Sequence, residues 1–249
     1  MSLPAPRIPH PAPRFFDGAL LIDKPAGPTS HDVVDMIRRT FRFEKVGHCG
    51  TLDPNATGLL TIVLGRATKL SEKLMAADKV YEGIIKFGET TDSYDAAGEM
   101  VSSLPVLPMT LDEINDAAVT FQGDQMQTPP MVSAVKVKGV PLYKMARKGV
   151  EVERKARLIR IYNFRFTRYE EPLGHFRVAC TKGTYVRTLA HDLGQQLGCG
   201  AHLATLRRLI SGQFDVANAI PFEDILNLSI TDLEKRVIPF LKLAEASKS

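Results

Sequence analysis

The chain has 249 residues, 44% of them hydrophobic, and a net charge of +4. That is enough apolar sequence to bury a full core in one large domain, or in one domain with a small appendage. No window approaches the unbroken apolar length that spans a bilayer, and the N-terminus lacks the apolar core of a signal peptide, so secretion and membrane insertion are not expected.

Residues 2–14, SLPAPRIPHPAPR, carry five prolines and read as a flexible tail, 1–14. The fold begins near Phe15. GALLIDKPAGPTS is a short strand and a Pro/Gly turn, after which Thr29 or Ser30 caps a helix through Phe41 with Val33, Val34, Ile37 and Phe41 on its buried face. GHCGTLDPNATGLL, residues 47–60, holds three glycines and one carboxylate, Asp53, followed by Pro54. Glycine admits conformations other residues resist, and proline steers the residue before it toward extended backbone. Two readings stay open: a well-made turn whose aspartate bonds nearby amides, or a carboxylate presented in a fixed pose.

LLTIVLG reads as a buried strand, RATKLSEKLM as a helix with Ala67, Leu70 and Leu74 inward, and KVYEGIIKFGE as a strand. TLDEINDAAVTFQG starts with a capping box, Thr110 to Glu113, and is expected to end at Gly123. AVKVKGV and RLIRIYNFRF are β-rich runs. HFRVACTKG is a strand closing in a turn, and TYVRTLAHDLGQQLG a helix with Val186, Leu189, Ala190, Leu193 and Leu197 at helical spacing. One more short helix, ITDLEKRVIPFLKLA, follows. Strand-rich stretches with irregularly inserted helices predict an α+β fold, a mixed, mainly antiparallel sheet decorated by helices.

Charge is unevenly spread. Residues 87–135 contain eight acidic residues and no lysine or arginine, whereas residues 136–168 contain eleven basic residues against Glu151 and Glu153. A basic block of this kind is the footprint expected for a polyanion, because each neutralised phosphate releases a counterion. A solvated face without a partner is the alternative, against which the interleaved aromatic and apolar residues argue.

Cys49, Cys180 and Cys199 are widely separated, which indicates neither a disulfide framework nor a zinc site and fits a reducing cytoplasm. His48, Cys49 and Asp53 as metal ligands lack an obvious fourth. A single carboxylate does not make a glycosidase pair, and no glycine-rich phosphate loop is present. Beside Asp53 stand His48, Tyr81 opening a strand, Tyr185 at the start of a helix, and Arg187; taken singly, the last three also suit a core-lining tyrosine, a buried helix tyrosine and a surface arginine.

The motifs GHCGTLDPNATGLL, LLIDKPAGPTSHDVV, KVYEGIIKFGETTDSYDAAGE, QTPPMVSAVKVKGVPLYKMARKG and CTKGTYVRTLAHDLGQQLGCGAHLATLRR together resemble the bacterial tRNA pseudouridine-55 synthase family, over residues 16–212. The resemblance implies the pseudouridine synthase fold and a cofactor-free isomerisation in which the uracil of one tRNA uridine is detached at nitrogen 1, turned, and rejoined to the ribose through carbon 5. It assigns Asp53 as the catalytic carboxylate, acting on ribose or base, and Arg187 as the arginine that pairs with it. By the same resemblance Tyr81 stacks on the flipped base and takes part in moving the carbon 5 proton, Tyr185 and Leu206 line the substrate pocket, and His48 fills the space vacated in the RNA loop. The expected partner is the T-loop and stem of tRNA, bound in part through Lys144, Arg147, Lys148 and Arg154, with no membrane and no obligate protein partner.

Two features depart from the pattern. Val132 stands where the family usually has an aromatic residue, and the chain reads as a short form: a catalytic domain, 15–213, and a C-terminal extension, 214–249, without a complete PUA-type RNA-binding domain. Two other readings are a catalytic subunit working with guide RNA and partner proteins, which normally depends on a PUA domain, and a non-catalytic RNA-binding protein of the same fold, against which an intact Asp53, Tyr81 and Arg187 argue.

Overall fold

A computed structural model describes residues 16–133, 136–137, 139–142, 145, 150 and 152–246. The tail 1–14 and the side chains of Lys144, Arg147 and Lys148 lie outside the described residues.

The first strand, β1 (Gly18–Lys24), leads through the Pro/Gly turn into α1 (Ser30–Phe41). Thr29 is the cap: its hydroxyl accepts from the Asp32 amide at 3.0 Å, and the Asp32 carboxylate accepts from the Thr29 amide at 2.9 Å. This satisfies two amides that the first helical turn leaves without partners. The four expected residues of α1 are buried. Then follow β2 (Val46–Cys49) and β3 (Thr57–Leu64). The expected RATKLSEKLM helix begins as a 3-10 turn, Gly65–Leu70, and becomes α2 (Ser71–Met75), with Ala67 buried and Leu70 and Leu74 packed on the core.

The next elements are β4 (Lys79–Phe87), the small pair β5 (Glu89–Thr91) and β6 (Met100–Ser103), and α3 (Leu111–Val119), which carries the Thr110/Glu113 capping box. Helix α3 stops short of Gly123, which instead opens β7 (Gly123–Gln127) with φ at +97°. A short ladder joins β8 (Lys136–Val137) to β9 (Val140–Pro141). Two long strands, β10 (Arg157–Glu170) and β11 (Leu173–Cys180), precede α4 (Val186–Gln196).

The run AHLATLRRLIS, for which the sequence suggested no element, is an eleven-residue strand, β12 (Ala201–Ser211). Nor is the tail a single helix. It contains β13 (Phe214–Asp215), β14 (Ile220–Pro221), a helical turn α5 (Phe222–Ile225), α6 (Ile230–Arg236), β15 (Ile238–Pro239) and α7 (Phe240–Ala246). Pro239 lacks the amide a continuous helix would need there, so the chain extends and pairs with β1 before resuming.

The main sheet runs β14-β1-β3-β12-β4-β11-β10-β7, with β2 added on β3, β13 on β12 and β15 on β1. Only β1 with β14 and β3 with β12 run parallel; the other pairs of this sheet are antiparallel. One core lies under α3 and α4, built on Phe87, Phe164, Phe166, Phe176, Leu189 and Leu193. A second packs α1 and the C-terminal residues Phe222, Ile225 and Leu233 on β1 and β3. Tyr81 on β4 and Leu206 on β12 touch both cores, so they mark the seam where the two halves of the sheet meet. Among the described residues no helix is long and apolar enough to cross a membrane.

Candidate active site

The seam is where the loop 50–56 emerges. Gly50 and Gly58 take φ values of +93° and +96°, which side-chain-bearing residues rarely adopt. A Cβ on Gly58 would lie 2.3 Å from the Arg208 carbonyl oxygen, so β3 and β12 approach closely only because that residue is glycine. Arg208 is 1% exposed and turns its guanidinium inward, donating to the carbonyls of Leu59 (2.7 Å), Gly50 (3.1 Å) and Thr51 (3.4 Å).

From the other side, the Lys24 ammonium donates to the carbonyls of Pro25, Pro28 and Pro54 at 2.8, 2.8 and 3.0 Å. Burial pushes it down to about 8. The Ser30 hydroxyl accepts from the Leu52 amide at 2.9 Å. Every one of these contacts is to backbone, so the loop shape is held whatever its side chains do.

Asp53 leaves this loop with its side chain 46% exposed and meets Arg187, 6% exposed, through Nε at 3.1 Å. Arg187 sits in the first turn of α4, and three further groups fix its fork. Nη1 pairs with Asp95 at 3.3 Å and donates to the Ser93 carbonyl at 3.1 Å, and Nη2 donates to the Val132 carbonyl at 2.9 Å. The contact to Val132 is through backbone, so its departure from an aromatic side chain leaves this bond intact.

Asp95 is itself held: its Oδ1 accepts from the Ser93 hydroxyl at 2.7 Å and the Ala97 amide at 3.0 Å. Tyr94, with φ at +63°, stacks on His191 of α4 at 3.9 Å between ring centroids and ties this turn to the helix bearing Arg187. Burial raises the Asp53 carboxyl above 3.8; Arg187 opposes the rise, Asp95 adds to it, and Lys24 opposes it.

Asp53 and Arg187 open onto a cavity of about 510 Å³ shared with Tyr81, Tyr185, Leu206 and Arg157. Burial pushes the Tyr81 hydroxyl above 10, with Arg208 opposing, so it stays protonated at neutral pH. The Gln127 side chain clasps the Tyr185 backbone, accepting from its amide at 2.8 Å and donating to its carbonyl at 3.1 Å. Five of the expected residues, Asp53, Tyr81, Tyr185, Arg187 and Leu206, thus meet in one cavity.

His48 does not line this cavity; it lies on β2 with a buried Nδ1, and burial lowers its pKa, helped by Arg208 and His31. Arg154 donates to the Pro129 carbonyl at 3.2 Å. Cys49 and Cys180 are buried thiols pushed up to about 11 by burial, and among the described residues no cluster of three His, Cys, Asp or Glu could hold a metal ion.

Asp95, Arg208 and Arg157 were not singled out from the sequence. Asp95 was hidden in the acidic run. A charged doublet, Arg207 and Arg208, inside the apolar run of β12 is the signal that could have exposed the second.

Compared with known proteins, the chain matches the family described as TruB family pseudouridylate synthase (N terminal domain) over residues 38–186, and the tRNA pseudouridylate synthase B C-terminal domain over residues 187–243. It is 56% identical to tRNA pseudouridine synthase B of Opitutus terrae, over 92% of this chain and 95% of that protein. To the protein of the same name from Solibacter usitatus it is 45% identical, over 94% of this chain and 80% of the other. Among solved structures it resembles a chain of a Cbf5-Nop10-Gar1 complex, with a TM-score of 0.73 and 29% identity over 95% of this chain and 68% of that one. A chain of the archaeal box H/ACA sRNP Nop10-Cbf5 complex gives 0.68 and 28%, over 92% of this chain and 61% of the other.

Proposed function

The chain belongs to the TruB family of pseudouridylate synthases, and from that premise we propose that it converts uridine 55 in the T-loop of tRNA to pseudouridine, with Asp53 as the essential carboxylate. The supporting observation is the ion pair of Asp53 with buried Arg187 inside a cavity walled by Tyr81.

The reaction is an isomerisation. The N1–C1′ bond breaks, the base turns, a C5–C1′ bond forms, the C5 proton leaves and N1 gains one, so no atom is gained or lost. Attack on the ribose and abstraction of a ribose proton both require Asp53 ionised. Arg187 supplies the charge that favours that form, and its contacts to Asp95, Ser93 and Val132 fix the direction in which the carboxylate is held.

The base must be extruded from the folded loop, at a cost of a few kcal/mol. Stacking on Tyr81 returns ~1–3 kcal/mol. Because the Tyr81 hydroxyl is protonated, it accepts the C5 proton only by passing on its own, and stacking is its first contribution. Tyr185 and Leu206 complete the pocket. His48, outside the cavity and neutral, suits insertion among the bases of the opened RNA loop.

Lys144, Arg147, Lys148 and Arg154 supply the electrostatic attraction for the T-arm. The catalytic part is proposed as 15–213, and the described residues of the extension 214–249 brace it through β14 and β15 on β1. The proposed setting is the cytoplasm, without an obligate protein partner.

The test is to map pseudouridine in bulk unmodified tRNA with and without the purified protein and no added cofactor. Pseudouridine at position 55 is expected. Its absence, with tRNA binding intact, would favour a non-catalytic RNA-binding role.

A further inference from the structure

The cations around the cavity differ in how their charge is met. Arg187 is paired with Asp53 and Asp95. Arg208 donates to two loop carbonyls, of Gly50 and Thr51, and to the Leu59 carbonyl on β3. Lys79 donates to the carbonyls of Met75, at 2.6 Å, and Ala77.

Arg157 is different. It opens β10, half-buried, with its guanidinium carbon 5.5 Å above the Tyr185 ring, and among the described residues no carboxylate pairs with it. Its backbone pairs with Gln127, the residue that clasps Tyr185, so ring and guanidinium are positioned by one unit. Gly183 has no side chain to cover Nη1; a Cβ there would stand 3.4 Å away.

A half-buried guanidinium held over an aromatic face, in a cavity that already satisfies its other buried cations, calls for an anion. A flipped uridine brings two, the phosphates 5′ and 3′ of it, which remain at the cavity when the base enters. We propose that Arg157 binds a phosphate flanking the flipped nucleotide, holding the backbone in its extruded form while Tyr185 serves base and guanidinium together. The proposal rests on the tRNA-modifying reading above and adds a substrate-binding residue to it. A planar fork that meets two phosphate oxygens at once also fixes orientation, which a lysine at this position would not.

The experiment uses the full chain and a T-arm RNA carrying one uncharged methylphosphonate linkage, 5′ or 3′ of the target uridine. With the parent protein, turnover at low RNA concentration is expected to fall about tenfold or more at one of the two linkages. Arg157→Gln should show a similar loss on unmodified RNA, no further loss when that linkage is neutralised, and a salt-dependence slope for binding smaller by about 1. Arg157→Lys should keep the slope and recover only part of the turnover.

If Arg157→Gln loses as much as the parent at both neutralised linkages, the proposal is overturned. It is equally overturned if the variant's whole deficit follows a lowered melting temperature. A parent that forms no pseudouridine in unmodified RNA would refute the function instead, and the same linkage comparison read as binding would still test Arg157.

Discussion

Asp53 and Asp95 share one guanidinium: Arg187 meets the first through Nε at 3.1 Å and the second through Nη1 at 3.3 Å. Asp95 therefore acts on Asp53 in two opposed ways. It fixes the arginine that favours the charged form, and its own charge disfavours that form.

The sign of the pH response follows. Proposed to act ionised, Asp53 has a pKa that burial raises above 3.8, so kcat/KM should fall on the acid side through a pKa above that value. Asp95→Asn removes the like charge and should move this acid limb to lower pH. A limb that stays put, or moves upward, would show that Asp95 serves only to place Arg187.

Asp53→Asn keeps the shape and removes the charge. We expect release of tritium from carbon-5-labelled uridine to be abolished while tRNA binding stays within a few fold. Undiminished release would remove Asp53 from its assigned role.

Gly58 and Gly27 make a matched pair. Both have φ near +100°, but a Cβ on Gly27 meets nothing within 4 Å, whereas on Gly58 it meets the Arg208 backbone at 2.3 Å. Gly27→Ala should cost about 1–3 kcal/mol, the backbone strain alone. Gly58→Ala should cost more and also reduce turnover, because β3 and β12 must separate beneath the Asp53 loop; thermal unfolding with activity assays would check both. Equal destabilisation would mean that the close approach of the two strands yields easily.

Neutralising Lys144, Arg147, Lys148 and Arg154 together should weaken tRNA binding and flatten its salt dependence, by about 0.7–0.9 of slope for each phosphate that the protein no longer neutralises. An unchanged slope would place the RNA on another surface.

Much of this arrangement was readable from the residues alone. The capping boxes at Thr29 and Thr110 and the helical spacing of Val186, Leu189, Ala190 and Leu193 are local signals, and local signals survive folding. Strand β12 was not readable, because Arg207 and Arg208 interrupt its apolar run and their partners are distant in sequence: Asp23 for Arg207, the carbonyls of Gly50, Thr51 and Leu59 for Arg208. Asp95 was hidden for the same reason. Its carboxylate looks like one more charge in an acidic stretch until α4 brings Arg187 against it. At Asp53 the turn and the fixed pose are not exclusive, since the loop is held through its backbone and also presents the carboxylate to Arg187.

The position of β12 has a consequence for synthesis. The strand inserts between β3 and β4, whose residues leave the ribosome more than a hundred positions earlier. Until residues 201–211 emerge, β4 lacks a partner along one edge and β3 lacks one at Thr57 and Gly58, unpaired edges being the surfaces most prone to wrong pairing, and the Asp53 loop lacks its Arg208 anchor. A nascent chain thus cannot assemble the Asp53–Arg187 cavity early, and truncation before β12 should yield inactive, aggregation-prone fragments instead of a smaller working enzyme.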